Sequence, residues 1–338
     1  MLATLTFPTS DGSYLAQRPK PVRVRSADEL RRALREARER PLLLDATALD
    51  CVLRLDGERG ILEAQAAATW QALARYLGPR GAALAAVAQT PGMPRSVGDA
   101  LSTNAAGPDG VALGAHVEAI TLVTPDGELK RADRNCNPDL FRLVIGGHGV
   151  FGVLYSVTLR LDSLRRAAQQ AEAPVELDLA SAGSALPIAH QTEVLVPPGE
   201  LDALISEVRA LAEERRIALH RISVRKLRPE AETFLCWASR DWAGVRLGLG
   251  IRPTLGACVH ATEIRRLILG AALARGGSFP VVAACDASRA QLEACYPRLA
   301  AFLAEKRRYD PCERLQNEWY RRVTAILRRE SCESRWDN

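Results

Sequence analysis

No stretch of the 338 residues approaches the roughly 20 apolar residues that a membrane-crossing helix needs. Residues 1–14 also lack a basic segment followed by an apolar run, so neither a transmembrane segment nor a leader is expected and a cytoplasmic protein is. Metal-ligand spacing is missing. The eight cysteines (51, 136, 236, 258, 285, 295, 312 and 332) form no Cys-x-x-Cys pair. None of the five histidines (116, 148, 190, 220 and 260) lies within four residues of another. These absences argue against a metal site and leave reduced, structural thiols as the expectation. An excess of one charge is lacking too. The 45 basic and 40 acidic residues give a net charge of +5, and segments such as 31–40 and 321–330 mix both signs, as solvated helix faces do. With only six Phe and six Tyr, there is no basic and aromatic platform for single strands, so no nucleic-acid partner is expected. Neither a Gly-x-Ser-x-Gly elbow nor a Gly-x-x-x-x-Gly-Lys-Ser/Thr loop occurs, which removes the usual hydrolase and nucleotidase readings.

What is present is an ordinary globular composition, 47% apolar and 25% charged, in a chain long enough for two domains. A helix is predicted over 27–38, opened by a capping box of Ser26 and Glu29 and carrying Leu30, Ala33, Leu34 and Ala37 on one face. Residues 21–24 and 42–44 read as short strands, and 51–55 with 61–66 as a hairpin around the turn 56–60. A second helix starts near Thr69 and stops at Gly78. Two strands, 120–124 and 128–131, meet at Pro125-Asp126-Gly127, and Asn137 with Pro138 opens a further helix. Alternation at Val153, Tyr155, Val157, Leu159 and Leu161 marks a long strand. The pattern fades over 162–190, where a domain junction is expected. Beyond it come strands at 191–196, 218–224, 245–251 and 279–283, helices at 201–211 and 261–273, and one long helix at 290–307. Mixed, non-alternating elements predict an α+β fold.

Two glycine-punctuated stretches stand out. Gly147-His148-Gly149-Val150-Phe151-Gly152 spells G-x-G-x-x-G, but a helix precedes it and a strand follows, the reverse of a Rossmann fingerprint. It remains a tight turn that lets backbone approach something closely. Residues 90–107 are small and polar, and eighteen such residues are long for a plain connection. Gly92, Gly98 and Gly107 allow close main-chain approach, while Ser96, Ser102, Thr103 and Asn104 offer short hydrogen-bonding groups. The strip suits an extended phosphate-containing ligand held by amides, and it equally suits a structural Ω-loop.

The order of these pieces resembles the FAD-binding module of the vanillyl-alcohol oxidase (PCMH-type) superfamily: 21–40, 61–77, 90–107, Leu122-Val123-Thr124-Pro125-Asp126-Gly127-Glu128, Asn137-Pro138-Asp139-Leu140-Phe141, then 146–153 and 157–161. Lys306-Arg307-Arg308-Tyr309-Asp310-Pro311 followed by Asn317 is similar to that family's closing segment. The resemblance implies a two-subdomain FAD-binding PCMH-type fold over 1–165. It implies an α/β substrate domain, with an antiparallel sheet flanked by helices, over 166–300, and a segment 301–338 returning to the first domain. It implies FAD, bound by Gly92, Ser96, Gly98, Ser102, Asn104, Gly107, Gly149, Gly152, Val153, Tyr309 and Asn317. The implied activity is oxidation of a small alcohol, sugar or polyol by hydride transfer to flavin, with Arg225 as a weak candidate near the hydroxyl or else a solvated strand-edge arginine. The alternative is a non-catalytic relative, a scaffold or binding subunit.

Three departures from the family pattern bear on this. An Arg-Gly-Gly-Gly-type pyrophosphate loop is expected after the first helix, yet Arg40 runs straight into Pro41-Leu42-Leu43-Leu44-Asp45. Asp99 stands where the family has a second glycine. Ala106 occupies the common His position before Gly107, so any FAD is expected to be non-covalent there.

Overall fold

A computed structural model describes residues 2–5, 21–37, 42–178, 188–251 and 255–333. Mixed helices and antiparallel sheets make the fold α+β, as the non-alternating pattern predicts. The chain divides into two compact units. The first holds residues 1–171, 232–235 and 298–322, and the second holds 172–231, 236–297 and the residues from 323 onward.

In the first unit a three-stranded sheet orders β1 (Leu2–Leu5), β3 (Leu42–Asp45) and β2 (Val22–Arg23), with β3 antiparallel to β1 and parallel to β2. Helix α1 (Ala27–Glu36) begins at Ser26, whose Oγ accepts from the Glu29 amide at 3.2 Å. The expected box is altered: Glu29 reaches back to the Arg25 amide at 2.8 Å rather than to that of Ser26. Ser26→Ala is expected to cost about 1 kcal/mol in urea unfolding, the usual worth of an N-cap. The α1–β3 junction, where the pyrophosphate loop is expected, has residues 38–41 outside the described set. Leu30, Leu34, Leu44 and Leu49 pack with Val123, Val153 and Leu315 in one core, which draws distant chain segments together.

A five-stranded antiparallel sheet completes this unit in the order β4-β5-β8-β6-β7, formed by β4 (Val52–Asp56), β5 (Ile61–Gln65), β6 (Val117–Val123), β7 (Leu129–Asp133) and β8 (Val153–Arg160). The β4–β5 hairpin and the Pro125-Asp126-Gly127 turn fall where turn chemistry puts them. Around the sheet are α2 (Trp70–Leu77), α3 (Ala82–Gln89), α4 (Val97–Ser102), α5 (Pro138–Val144) and α6 (Leu161–Gln169). Sequence periodicity missed α3 and α6, and α4 lies inside the stretch read as irregular. Asn137 holds the N-cap position of α5 in a left-handed conformation, but its side chain makes no cap bond.

The second unit contains a four-stranded antiparallel sheet, β10-β12-β11-β9, from β9 (Val175–Asp178), β10 (Ile188–Val196), β11 (Ala218–Leu227) and β12 (Trp242–Ile251). Val194, Ile222, Val245 and Leu247 are fully buried, on the face that packs against α7 (Leu201–Glu214) and α8 (Leu255–Ala274). Two expectations fail here. The strand at 279–283 is instead a 3-10 turn over Val281–Asp286. Only Ser278 pairs, its N–H and C=O both bonded to Leu195 at 2.8 Å, before Pro280 turns the chain. The long helix at 290–307 is two, α9 (Arg289–Cys295) and α10 (Leu299–Tyr309), because Pro297 cannot sit inside a helix. Helix α11 (Glu318–Glu333) follows.

Candidate functional site

The two glycine-rich stretches lie side by side in the first unit. The Gly146 amide donates to Leu101 O at 3.0 Å and the His148 amide to Ser102 O at 2.9 Å, so the turn after α5 is bonded along the end of α4. Helix α4 exists because Ser96 caps it. Ser96 Oγ accepts from the Asp99 amide at 3.1 Å and donates to Asp99 Oδ2 at 2.7 Å.

Most of these glycines are required by the chain itself. The Gly98 amide bonds Ala66 O at 2.7 Å, and a Cβ at that position would stand 2.8 Å from the same oxygen. The Gly107 amide bonds Val111 O at 2.7 Å. A Cβ on Gly147 would fall 2.0 Å from Leu143 O, and one on Gly152 2.5 Å from Leu122 Cδ1. Ser102 Oγ donates to Asp99 O at 3.1 Å, and Asn104, at φ 47°, accepts from the Gly114 amide at 2.9 Å. Val153 is a buried residue at the start of β8, paired with Val123. On the side a Cβ would take, the close approach at Gly98, Gly107 and Gly152 is to protein. The amides of Gly92, Ser96, Gly149 and Gly152 differ from those of Gly98 and Gly107: among the described residues nothing accepts from them.

Residues 310–320 close over the second glycine stretch. Asn317 Nδ2 donates to His148 O at 2.5 Å, and its Oδ1 accepts from the Tyr320 amide at 2.9 Å, so both ends of this side chain are engaged within the protein. The Trp319 indole stacks on the His148 imidazole at 4.3 Å and 5°. Tyr309 meets Phe151 edge-on at 5.7 Å. Asp310 Oδ2 accepts from the Leu315 amide at 2.8 Å and from the buried Lys306 ammonium. Burial lowers the Lys306 pKa, and the Asp310 charge opposes that shift. Arg314 bonds Leu34 O and Pro125 O, tying this segment to α1 and to the β6–β7 turn. His148 has φ 52°, and its buried Nε2 has no hydrogen-bond partner among the described residues. Burial pushes its pKa down to about 3, so the ring is neutral near pH 7.

Sequence reasoning missed a part-buried polar trio beside Gly107. His116 Nδ1 lies 2.8 Å from Ser163 Oγ, and Nε2 lies 3.9 Å from Asp109 Oδ1. Burial raises the Asp109 pKa, but the His116 ring nearby and the hydrogen bond from the Val111 amide outweigh that and hold it below the usual range. Positions 109, 116 and 163 share no spacing that would have linked them.

Arg225 belongs to the second unit and is not a solvated edge residue. Strands β10, β11 and β12 bring Glu193 within 3.7 Å of Arg225 and 2.6 Å of Arg246. Burial lowers the Arg225 pKa against the pull of Glu193. Burial also raises that of Glu193, yet the two guanidinium charges bring it below the usual carboxyl range.

The unbonded amides at Gly92, Ser96 and Gly149 and the partnerless His148 Nε2 are donors and acceptors that fit a polar dinucleotide, over fewer contacts than the glycine letters implied. Comparison with known proteins agrees with this. Residues 15–133 match the family model described as an FAD binding domain. No curated protein matches the chain. Among solved structures the chain is similar to a BBE-like 1 variant from Physcomitrella patens, at 12% identity and TM-score 0.59, over 93% of this chain and 96% of that one. At that identity the likeness is one of fold.

Proposed function

We propose that the chain, whose residues 15–133 match an FAD binding domain, is an FAD-dependent oxidoreductase acting on the CH–OH group of a small alcohol, sugar or polyol. The observation that carries this reading is the junction of the two glycine stretches through Gly146, His148, Leu101 and Ser102, with donor amides left over on each stretch. Bound FAD supplies the hydride acceptor. The amides of Gly92, Ser96 and Gly149 would hold its phosphate and ring oxygens, with Tyr309 flanking the site. Gly98, Gly107, Gly152, Ser102, Asn104 and Asn317 then act one step removed, by shaping the backbone that carries those donors. Val153 and the neutral His148 exclude water. Attachment is non-covalent at position 106, since Ala106 offers no nucleophile.

A non-catalytic scaffold is the second reading, and specific observations favour it. The amides of Gly98, Gly107, Gly146 and His148 are consumed within the chain, and Asp99 places a carboxyl beside the start of α4. The absorption spectrum of the purified protein separates the two. Flavin bands, bleached anaerobically by a member of a polyol and sugar panel, support the enzyme; a colourless protein that FAD cannot reconstitute sinks it. Asp99→Asn keeps a partner for Ser96 while removing a charge from the cradle. It is expected to tighten FAD binding about fivefold in a fluorescence titration, since a partly buried like-charge contact costs on the order of 1 kcal/mol. Unchanged affinity would place the phosphates away from α4.

A further inference from the structure

Strand β4 ends the five-stranded sheet, and among the described residues no strand pairs with its outer edge. Such an edge is a template for another strand, and soluble proteins usually blunt it with charge. Here the edge carries Leu53 at 42% exposure and Leu55 at 41%. Leu55 sits opposite Leu62, which is fully buried, and Leu62 sits opposite the equally buried Leu159. The apolar core face thus runs outward through β5 and stops, uncovered, at β4.

We infer that a second copy of this chain pairs with this edge, antiparallel and about a two-fold axis at Leu55, joining two five-stranded sheets into one. The charges select this register. On the opposite face from Leu55 are Arg54, 61% exposed at its side chain, and Asp56, which it meets at 2.9 Å, while Leu53 lies at a bulge in the β4–β5 register. Pairing centred on Leu55 sets Leu55 against Leu55 of the other copy, and Arg54 against Asp56 twice. Centring on Arg54 opposes two arginines, and centring on Leu53 opposes Asp56 to Asp50. A parallel arrangement also brings like charges together, and a one-residue slip sets leucine against charge. Leu53 falls opposite Gly57, beside which there is open space. Opposite charges across a strand pair stabilise it and like charges destabilise it, so the sequence Leu53-Arg54-Leu55-Asp56 is complementary to itself under two-fold symmetry alone.

Sedimentation of the full chain up to about 100 µM tests this, a range that reaches a micromolar association. A concentration-dependent monomer–dimer equilibrium is expected. Arg54→Asp sets a new carboxylate against that of Asp56 and is expected to raise the dimer Kd at least tenfold, and Leu55→Lys likewise. Mixing Arg54→Asp with Asp56→Lys restores a dimer, now a heterodimer, because each strand is then wholly one sign. Asp56 also accepts from the Arg59 amide, so thermal midpoints check that its variant folds. Should it not fold, Arg54→Asp and Leu55→Lys decide alone. A chain that stays monomeric throughout overturns the inference, and so does a dimer unaffected by both variants.

Discussion

Asp310→Ala is expected to lower the unfolding free energy by about 3–5 kcal/mol, read from urea unfolding by tryptophan fluorescence. Lys306 and Asp310 are 0% and 1% exposed at their side chains, so removing the carboxylate strands a fully buried ammonium. The same oxygen accepts from the Leu315 amide, and that donor is orphaned as well. Lys306→Met strands the equally buried Asp310 carboxylate and is expected to cost somewhat less only because Asp310 keeps the Leu315 amide and the methionine fills the lysine's volume. Losses below about 1 kcal/mol in both variants would mean that the charges of the pair contribute little. Flavin affinity should fall with Asp310→Ala beyond what the loss of folded protein explains, since Asn317 and Trp319 follow in the same segment and hold His148.

The second large effect is a pH dependence centred on His148. Its pKa is about 3 in the folded chain and near 6.5 when unfolded. Above pH 6.5 neither state is protonated and the residue is neutral in the balance. Between pH 6.5 and 3 the unfolded chain binds a proton that the folded one does not, so stability is lost as pH falls. The slope approaches 1.4 kcal/mol per pH unit, about 2 kcal/mol by pH 5. His148→Phe preserves a ring for Trp319 to stack on and should flatten that slope between pH 6.5 and 5. An unchanged slope would assign the acid sensitivity to other groups. Asp109, whose pKa lies below the usual carboxyl range, sheds its contribution only at lower pH.

Local chemistry carried much of the fold in the sequence. Ser26, Thr69 and Pro125-Asp126-Gly127 place a helix start, another helix start and a hairpin turn correctly, because each acts through bonds to near neighbours. Alternation and helical spacing found three of the four strands in the sheet of the second unit, missing β9, and found α7. What failed depended on distant partners or on a single breaker. Residues 290–307 look helical throughout, but Pro297 divides them. Phe279 reads as a strand residue, yet its carbonyl is taken by the Tyr296 hydroxyl and the chain turns away after it. In the candidate site the glycines were legible as places of close approach, but a letter does not say what approaches. At Gly98 it is Ala66 O and at Gly152 it is Leu122, and only coordinates separate the bonded amide of Gly98 from those of Gly92 and Gly149, which stay open. The His116–Ser163–Asp109 trio and the His148–Trp319 stack join residues 7 to 171 positions apart and left no trace in any motif.

Arg314 reaches Leu34, 280 positions earlier, and Asn317 reaches His148, 169 positions earlier. A ribosome therefore releases both glycine stretches long before the residues that latch them, with the whole sheet of the second unit made in between. Until then the first unit lacks its clasp, and closing so wide a loop is slow. Newly made chains should pass through a stage in which the sheet of the second unit is formed and the first unit is still sensitive to protease at residues 146–152.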